Sequence, residues 1–182
     1  MKKIIFTAFF CFTALMGHAQ NIQEPEYNGQ VALVNADSTI TILKKENGSF
    51  KAKSSSFGLI PIPGAALLDK TKSFLTVKGN TSPNIVSSKK FSFVIRVKDN
   101  NEEPKNSFGI FKFEQKKKER RYQVMDAGAL SGVSENFHFN NVDYTAHKFG
   151  NSSYYITVEN LEPGEYGIVA GSFENVATFC VK

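Results

Sequence analysis

The chain is organised as short runs in which apolar and polar residues alternate, separated by residues typical of turns. The clearest run is Lys90–Lys98, where apolar side chains occupy every second position on one face: Phe91, Phe93, Ile95 and Val97. A period of two residues places alternate side chains on opposite sides of an extended backbone. The run therefore predicts a β-strand with one buried face.

Similar runs recur along the chain with turn residues between them, and no segment shows a helical period. The other predicted strands are Val31–Val34, Thr39–Leu43, Ser49–Lys53, Ser73–Lys78, Phe108–Glu114, Arg120–Met125, Tyr144–Phe149, Tyr154–Val158, Glu165–Gly171 and Thr178–Val181. About ten strands with frequent turns predict an all-β fold, an antiparallel β-sandwich of immunoglobulin-like type. A small β-barrel is the alternative, because it uses the same alternation.

One hairpin is predicted by a specific dipeptide. Asn47-Gly48 follows the run Thr39–Leu43, and this dipeptide favours the left-handed backbone of a two-residue turn. Ser49–Lys53 is then expected to be the return strand.

The segment Phe57–Leu68 interrupts the alternation. Pro61 and Pro63 are incompatible with a regular central strand or an unbroken helix. We expect a crossover packed on the core, with a loop that touches a ligand or a membrane as the alternative. Three apolar residues at its start are candidate contact residues: Phe57, Leu59 and Ile60.

The first nineteen residues have the three-part layout of a secretory signal peptide. Lys2 and Lys3 form a positive head, Ile4–Met16 is almost wholly apolar, and small residues follow. This layout predicts cleavage between Ala19 and Gln20. The apolar run is shorter than the roughly 20 residues that a membrane-spanning helix needs, so we expect no transmembrane segment in the mature chain.

The domain organisation follows from that leader. Residues 1–19 are predicted to be a signal peptide, residues 20–29 a flexible N-terminal lead, and residues 30–182 a single β-sandwich domain. A mature chain of about 163 residues has the length of one ordinary domain.

Charge and cysteine content limit the kinds of partner and the cellular compartments that we expect for this protein. The net charge of the full chain is +5, and loss of the leader lowers it to about +3, well short of a nucleic-acid-binding protein. Cys180 would be the single cysteine of the mature chain, so no intramolecular disulfide can form. Export without disulfides favours a bacterial periplasm or cell surface. We expect Cys180 to be buried as a small apolar residue.

Residues with the spacing of a catalytic or metal site are not found. His138 and His147 lack metal-ligand spacing, and His147 is expected to be a partly exposed strand residue. No serine lies in a nucleophile elbow, and no glycine-rich phosphate loop precedes a helix. The sequence therefore predicts no catalytic residue, no metal ligand and no cofactor.

The strongest charge feature is Lys116–Arg121. We expect a solvated hairpin tip, and a contact surface that contains Lys117, Arg120 and Arg121 is the alternative. The Arg121 guanidinium is expected to form a planar fork with a carboxylate, for instance that of Glu165 or Asp126.

Pro163-Gly164-Glu165-Tyr166 opens a strand near the C-terminus. Together with Phe91–Arg96, Pro104 and Phe108–Phe113, this turn resembles a loose group of uncharacterised secreted bacterial β-sandwich proteins of immunoglobulin-like type. The resemblance extends from Phe91 to the C-terminus. It implies fold and location, and it carries over no activity.

These observations predict an exported, non-catalytic binding or assembly module of a bacterial cell envelope. Its expected partner is an envelope protein or a polysaccharide, and no nucleic acid. Two alternatives remain at this point: a small β-barrel that encloses an apolar ligand, and an envelope hydrolase with two converging carboxylates.

Overall fold

The computed structural model describes residues 22–55, 70–128 and 142–182. Within these ranges the chain forms thirteen strands and a single turn of helix, which confirms the all-β prediction. The elements are β1 (Val31–Val34), β2 (Ile40–Ile42), β3 (Lys45–Ser55), β4 (Lys70–Lys78), β5 (Ile85–Val86), β6 (Lys90–Arg96), α1 (Pro104–Ser107), β7 (Phe108–Lys112), β8 (Glu114–Gln115), β9 (Glu119–Gly128), β10 (Thr145–Phe149), β11 (Ser153–Glu159), β12 (Gly164–Ala170) and β13 (Asn175–Val181).

Parts of the sequence prediction lie outside the described residues. These are the leader at residues 1–19 and the apolar segment with Phe57, Leu59 and Ile60. Among the residues that the structure describes, no helix is long and apolar enough to cross a bilayer.

The first sheet has five antiparallel strands in the order β10-β11-β6-β1-β2. The strand with the clearest alternation, β6, lies at its centre between β11 and β1. Phe93 and Ile95 of β6 are fully buried on the inner face. The two-residue period of the sequence therefore sets both the position and the orientation of this strand.

The second sheet nearly closes into a barrel. Its order is β7-β12-β13-β3-β4-β9-β8, and β5 pairs in parallel with β13. Only Phe113 separates β7 from β8, and its backbone N–H donates to the Glu165 carbonyl oxygen at 2.8 Å. The two ends of the strand order are therefore consecutive pieces of one chain segment, with β7 paired to β12 and β8 paired to β9.

Two apolar cores lie on either side of β7, β12 and β13. One core packs the first sheet against the outer face of these strands, with Phe179 between Phe93 and Tyr166 at ring distances of 5.2 Å each. The other core fills the curled sheet and contains Leu75, Val77, Phe111, Phe113, Tyr122, Val124, Val169 and Val176. Strands buried on both faces have continuous apolar runs, as β12 and β13 do.

The molecule thus combines both predicted architectures. Two sheets pack face to face as in a sandwich, and one of them curls into a nearly closed barrel. The finer assignment to the immunoglobulin-like type stays a prediction.

The predicted hairpin at Asn47-Gly48 is wrong. Both residues lie inside β3, which pairs with β4 without interruption from Gly48 to Ser55. A methyl group at Gly48 would lie 2.2 Å from the Phe173 carbonyl oxygen, 3.0 Å from Leu75 and 3.2 Å from Val176. Glycine is needed here because there is no room for a side chain. A glycine inside a strand can thus mark close packing and not a turn.

The described part of the N-terminal lead, residues 22–29, contacts the first sheet. Arg96 Nη1 lies 3.3 Å from Glu24 Oε2 and donates to the Pro25 carbonyl at 3.3 Å. The Ser152 N–H donates to Glu24 Oε1 at 3.1 Å, and Gly29 N–H donates to the Arg96 carbonyl at 2.8 Å.

Candidate binding surface

Two consecutive arginines of β9 occupy opposite faces of the strand. Arg120 is fully buried inside the curled sheet, on the face that also carries Tyr122 and Val124. Arg121 lies on the outer face, with 18% of its side chain exposed. The alternation of side chains along a strand produces this difference.

Arg120 is the centre of a buried polar network. Its Nη2 donates to both carboxylate oxygens of Glu46 at 2.8 Å and to the Lys78 carbonyl at 3.1 Å. Its Nε donates to the Gly79 carbonyl at 3.1 Å, and Nη1 lies 3.5 Å from Glu165 Oε2. Two carboxylates and two carbonyls therefore compensate one buried guanidinium.

Both carboxylates of this network have further partners. The Thr178 hydroxyl donates to Glu46 Oε2. Glu165 accepts a 2.8 Å bond from the Thr81 hydroxyl and a 2.8 Å bond from the Ser82 N–H. The network ties the segment after β4 to β12 and β13, so it closes one end of the curled sheet.

The burial of Arg120 corrects the expected contact surface. Arg120 was expected beside Arg121 on an exposed surface, but it has no exposed area. The predicted fork between Arg121 and Glu165 is not formed, because Arg121 pairs with Glu114 while Arg120 makes a single 3.5 Å contact with Glu165. A shift of one residue along a strand reverses the face of every side chain.

The outer face of β3, β4 and β9, with the turn between β8 and β9, is rich in basic side chains. We call this surface the basic face. It contains Lys51, Lys72, Lys78, Lys116, Lys117, Lys118 and Arg121, with Glu114 and Glu119 as its described carboxylates.

Arg121 is held in a fixed position on the basic face. Its guanidinium lies 4.8 Å from the ring centroid of Phe74, and its Nε donates to Glu114 Oε2 at 2.5 Å. Lys116 pairs with the other oxygen of Glu114. Hydrogen bonds from Arg121 and then from Lys116 lower the pKa of Glu114 to about 2.

Most of the other described cations of the basic face have no described carboxylate partner. The exception is Lys51, which pairs with Glu119. Lys78, Lys117 and Lys118 are exposed, and no carboxylate among the described side chains lies within 4.0 Å of their amines. Among the described residues, cations therefore outnumber carboxylates on this surface. Lys117 is the residue of the predicted contact set that is exposed here.

The predicted single residues Cys180 and His147 lie where the sequence suggested. Cys180 is buried, and burial, followed by Glu165, raises the pKa of its thiol. His147 is exposed on β10, and its ring is nearly parallel to that of Tyr155 with centroids 5.8 Å apart.

The interior of the curled sheet is where an enclosed apolar ligand, or the paired carboxylates of a hydrolase, would be expected. The described apolar side chains and the Arg120 network occupy this interior, which is the space that an apolar ligand would need. Glu46 and Glu165 are paired with Arg120 and with hydroxyl or N–H donors. Among the described residues, no group of three or more His, Cys, Asp or Glu side chains is arranged to hold a metal ion.

Comparisons with known proteins found no match to this chain. No protein-family model matches the chain, and neither a curated protein nor a solved structure matches it.

Proposed function

We propose that the protein is an exported, non-catalytic binding module of a bacterial cell envelope, which holds an acidic polysaccharide on its basic face. The observation that carries this proposal is the excess of exposed amines over carboxylates among the described residues of one sheet face. Export is supported by the signal-peptide layout of residues 1–19.

The chemistry of the basic face favours a polysaccharide over an envelope protein. Protein interfaces have an apolar core, usually with aromatic anchors, inside a polar rim. None of the large exposed apolar residues that the structure describes lies on the basic face, since Phe50 shares the strand face of Leu75, and Phe74 is covered by Arg121. A flexible polyanion needs no apolar anchor, because spaced amines attract its carboxylates through solvent.

The Arg120 network supports binding indirectly. It fixes β9 to β3 and to the segment after β4, on the side of the sheet opposite the basic face. The backbone that carries the amines is therefore already ordered before binding, and this lowers the entropic cost of association.

The test is the salt dependence of binding to polygalacturonate, with neutral dextran as the matched uncharged polymer. Because attraction between exposed charges is screened, affinity for polygalacturonate should fall steeply between about 0.05 and 0.5 M salt. Dextran should not bind at any salt concentration. Binding that is equal for the two polymers, or unaffected by salt, contradicts the proposal.

Export is tested separately. Protein recovered from the envelope of the producing cell should begin at Gln20 when its N-terminus is sequenced. An intact Met1 on protein from the cytosolic fraction contradicts that part of the proposal.

A further inference from the structure

A cleft of about 480 Å³ lies at the junction of the two sheets, away from the basic face. It is formed where β6 and β12 end and where β3 and β13 begin. Its volume is in the range of pockets that enclose a small molecule. Basic residues that line it are Lys45, Arg96 and Lys98, and the acidic residues are Asp99 and Glu102.

The Lys45 side chain is the unusual group in this cleft. It is half-buried, and burial lowers the pKa of its ammonium. No carboxylate of the described residues lies within 4.0 Å of its Nζ, and no described acceptor bonds to it. A cation that has lost water without gaining a partner is costly, so an anion beside it would be stabilised.

The backbone around Lys45 is shaped to leave its amine accessible to the cleft. A methyl group at Gly29 would lie 3.2 Å from Lys45 Nζ and 2.8 Å from the Ala170 carbonyl oxygen. Gly29 has φ of +77°, a conformation that also favours glycine. The amine therefore lies against a bare stretch of backbone, with no side chain covering it there.

Arg96 also lines the cleft, although two of its nitrogens are not available to a ligand. Its Nη1 is held by Glu24 and the Pro25 carbonyl, and its Nε is buried away from solvent. The amides of Asn28 and Asn175 and the hydroxyl of Ser172 also line the cleft, and they suit the hydroxyl groups of a ligand.

The acidic residues of the cleft limit the charge of the ligand. Asp99 accepts bonds of 3.0 and 2.8 Å from Asn101, and neither Asp99 nor Glu102 pairs with Lys45 or Arg96. Their presence disfavours a dianion such as phosphate, because like charges repel at short range. A single carboxylate fits this balance better.

We infer that this cleft binds a small hydroxylated monocarboxylate, about the size of one sugar-acid ring, with its carboxylate at Lys45. The inference does not depend on the basic face, because none of the residues that carry it belongs to that surface.

The experiment is a titration of the isotope-labelled mature chain followed by NMR. The probes are sodium glucuronate, glucose as the neutral ring of similar size, and inorganic phosphate. Glucuronate should shift the amide signals of Gly29, Gly171 and Asn175 saturably, with glucose giving no shift and phosphate binding more weakly. The inference is overturned by no saturable shift with glucuronate up to about 10 mM, by shifts confined to other regions, or by tighter binding of glucose or phosphate.

Matched variants identify the cation. Lys45→Met should raise the Kd for glucuronate at least about tenfold, and Lys45→Arg should retain most of the affinity. Lys44→Met is the control, because Lys44 is exposed and does not line the cleft. Equal affinity of Lys45→Met and wild type overturns the inference. If Lys45→Met does not fold, the wild-type shift map and the Lys45→Arg titration decide the question.

Discussion

Arg120 and Arg121 are neighbours in the chain, yet one guanidinium lies between Glu46 and Glu165 inside the curled sheet and the other lies over Phe74 on its outer face. The alternation of side chains along β9 places one arginine inside the barrel and the next on its outer surface. The inner guanidinium closes the barrel, and the outer one belongs to the basic face.

The first prediction compares these two arginines. Arg120→Met should lower the free energy of unfolding by about 3–5 kcal/mol, because it leaves Glu46 and Glu165 without their cation. Arg121→Met should cost no more than about 1 kcal/mol, since its ion pair with Glu114 is partly solvated. Urea denaturation of both variants at neutral pH measures the difference. Equal losses would show that Arg120 is not the buried centre of the network.

The second prediction concerns acid. The pKa of Glu114 is lowered to about 2 from 4.5, so its pair stabilises the fold above about pH 4.5. That contribution should be lost as the pH falls from 4.5 to 2, while the carboxylate becomes protonated. Its size is below about 1 kcal/mol, because Glu114 is half exposed.

Denaturation of wild type and Glu114→Gln at several pH values provides the measurement. The difference between the two proteins should shrink over this window. A difference that stays constant from pH 6 to about pH 2 contradicts the assignment of the titration to Glu114.

The third prediction uses two tyrosines with different hydroxyl environments. The Tyr144 hydroxyl is buried without a described partner, whereas the Tyr154 hydroxyl donates to the Glu102 carbonyl at 2.5 Å. Tyr144→Phe should therefore be neutral or stabilising, and Tyr154→Phe should cost about 1 kcal/mol or more. Thermal and urea unfolding of the two variants test this order, and the reverse order would refute it.

A related effect is expected in alkali. Burial, followed by the charge of Glu103, raises the pKa of Tyr144 from 10.0 to about 12. Between pH 10 and about 12 the phenol is ionised in the unfolded chain but stays neutral in the folded protein, so the free energy of unfolding falls as the pH rises through this interval. Wild type should lose stability relative to Tyr144→Phe within that interval. Parallel curves for the two proteins would exclude Tyr144 as the titrating group.

The fourth prediction tests the uninterrupted β3 strand. Gly48→Ala should destabilise the protein by about 1–3 kcal/mol, because the added methyl group clashes with the Phe173 carbonyl oxygen and crowds Leu75 and Val176. Asn47→Ala is the control, since Asn47 is exposed and lies on the opposite face of β3. Equilibrium denaturation compares the two. An equal, small effect of both substitutions would favour the hairpin turn that the dipeptide suggested.

Much of the fold was predictable because alternation is a local property. The strand Lys90–Lys98 was recognised from its apolar positions, and its core is β6 at the centre of the first sheet. The dipeptide Asn47-Gly48 predicts a turn where β3 continues, because the sequence does not show whether a glycine is needed for its backbone angles or for its lack of a side chain. Curling of the second sheet depends on one segment that pairs with β9 through the local β8–β9 hairpin and with β12 through β7. The pairing of β7 with β12 joins distant parts of the chain, and no local pattern encodes that contact.

The binding surface was only partly predictable. Tyr122 and Val124 lie at alternate positions after Arg120, so the three side chains point to the same face of the strand. Because this face is apolar, the alternation indicates that Arg120 faces the interior. Its partner Glu46 is 74 residues away in the chain, so the sequence alone could not supply it. Lys51 and Lys78 join Lys117 on one surface through the pairing of β3, β4 and β9, which is equally non-local.

Binding of charge-reversed variants to polygalacturonate tests the account most directly. Lys78→Glu/Lys117→Glu removes exposed amines from the basic face, and Lys89→Glu/Lys105→Glu makes the same change of net charge elsewhere on the exposed surface. The first variant should bind at least about tenfold more weakly than wild type at low salt, with an unchanged Tm, and the second should lose far less affinity. Equal affinity losses in the two variants, or none in either, would contradict the assignment of binding to the basic face.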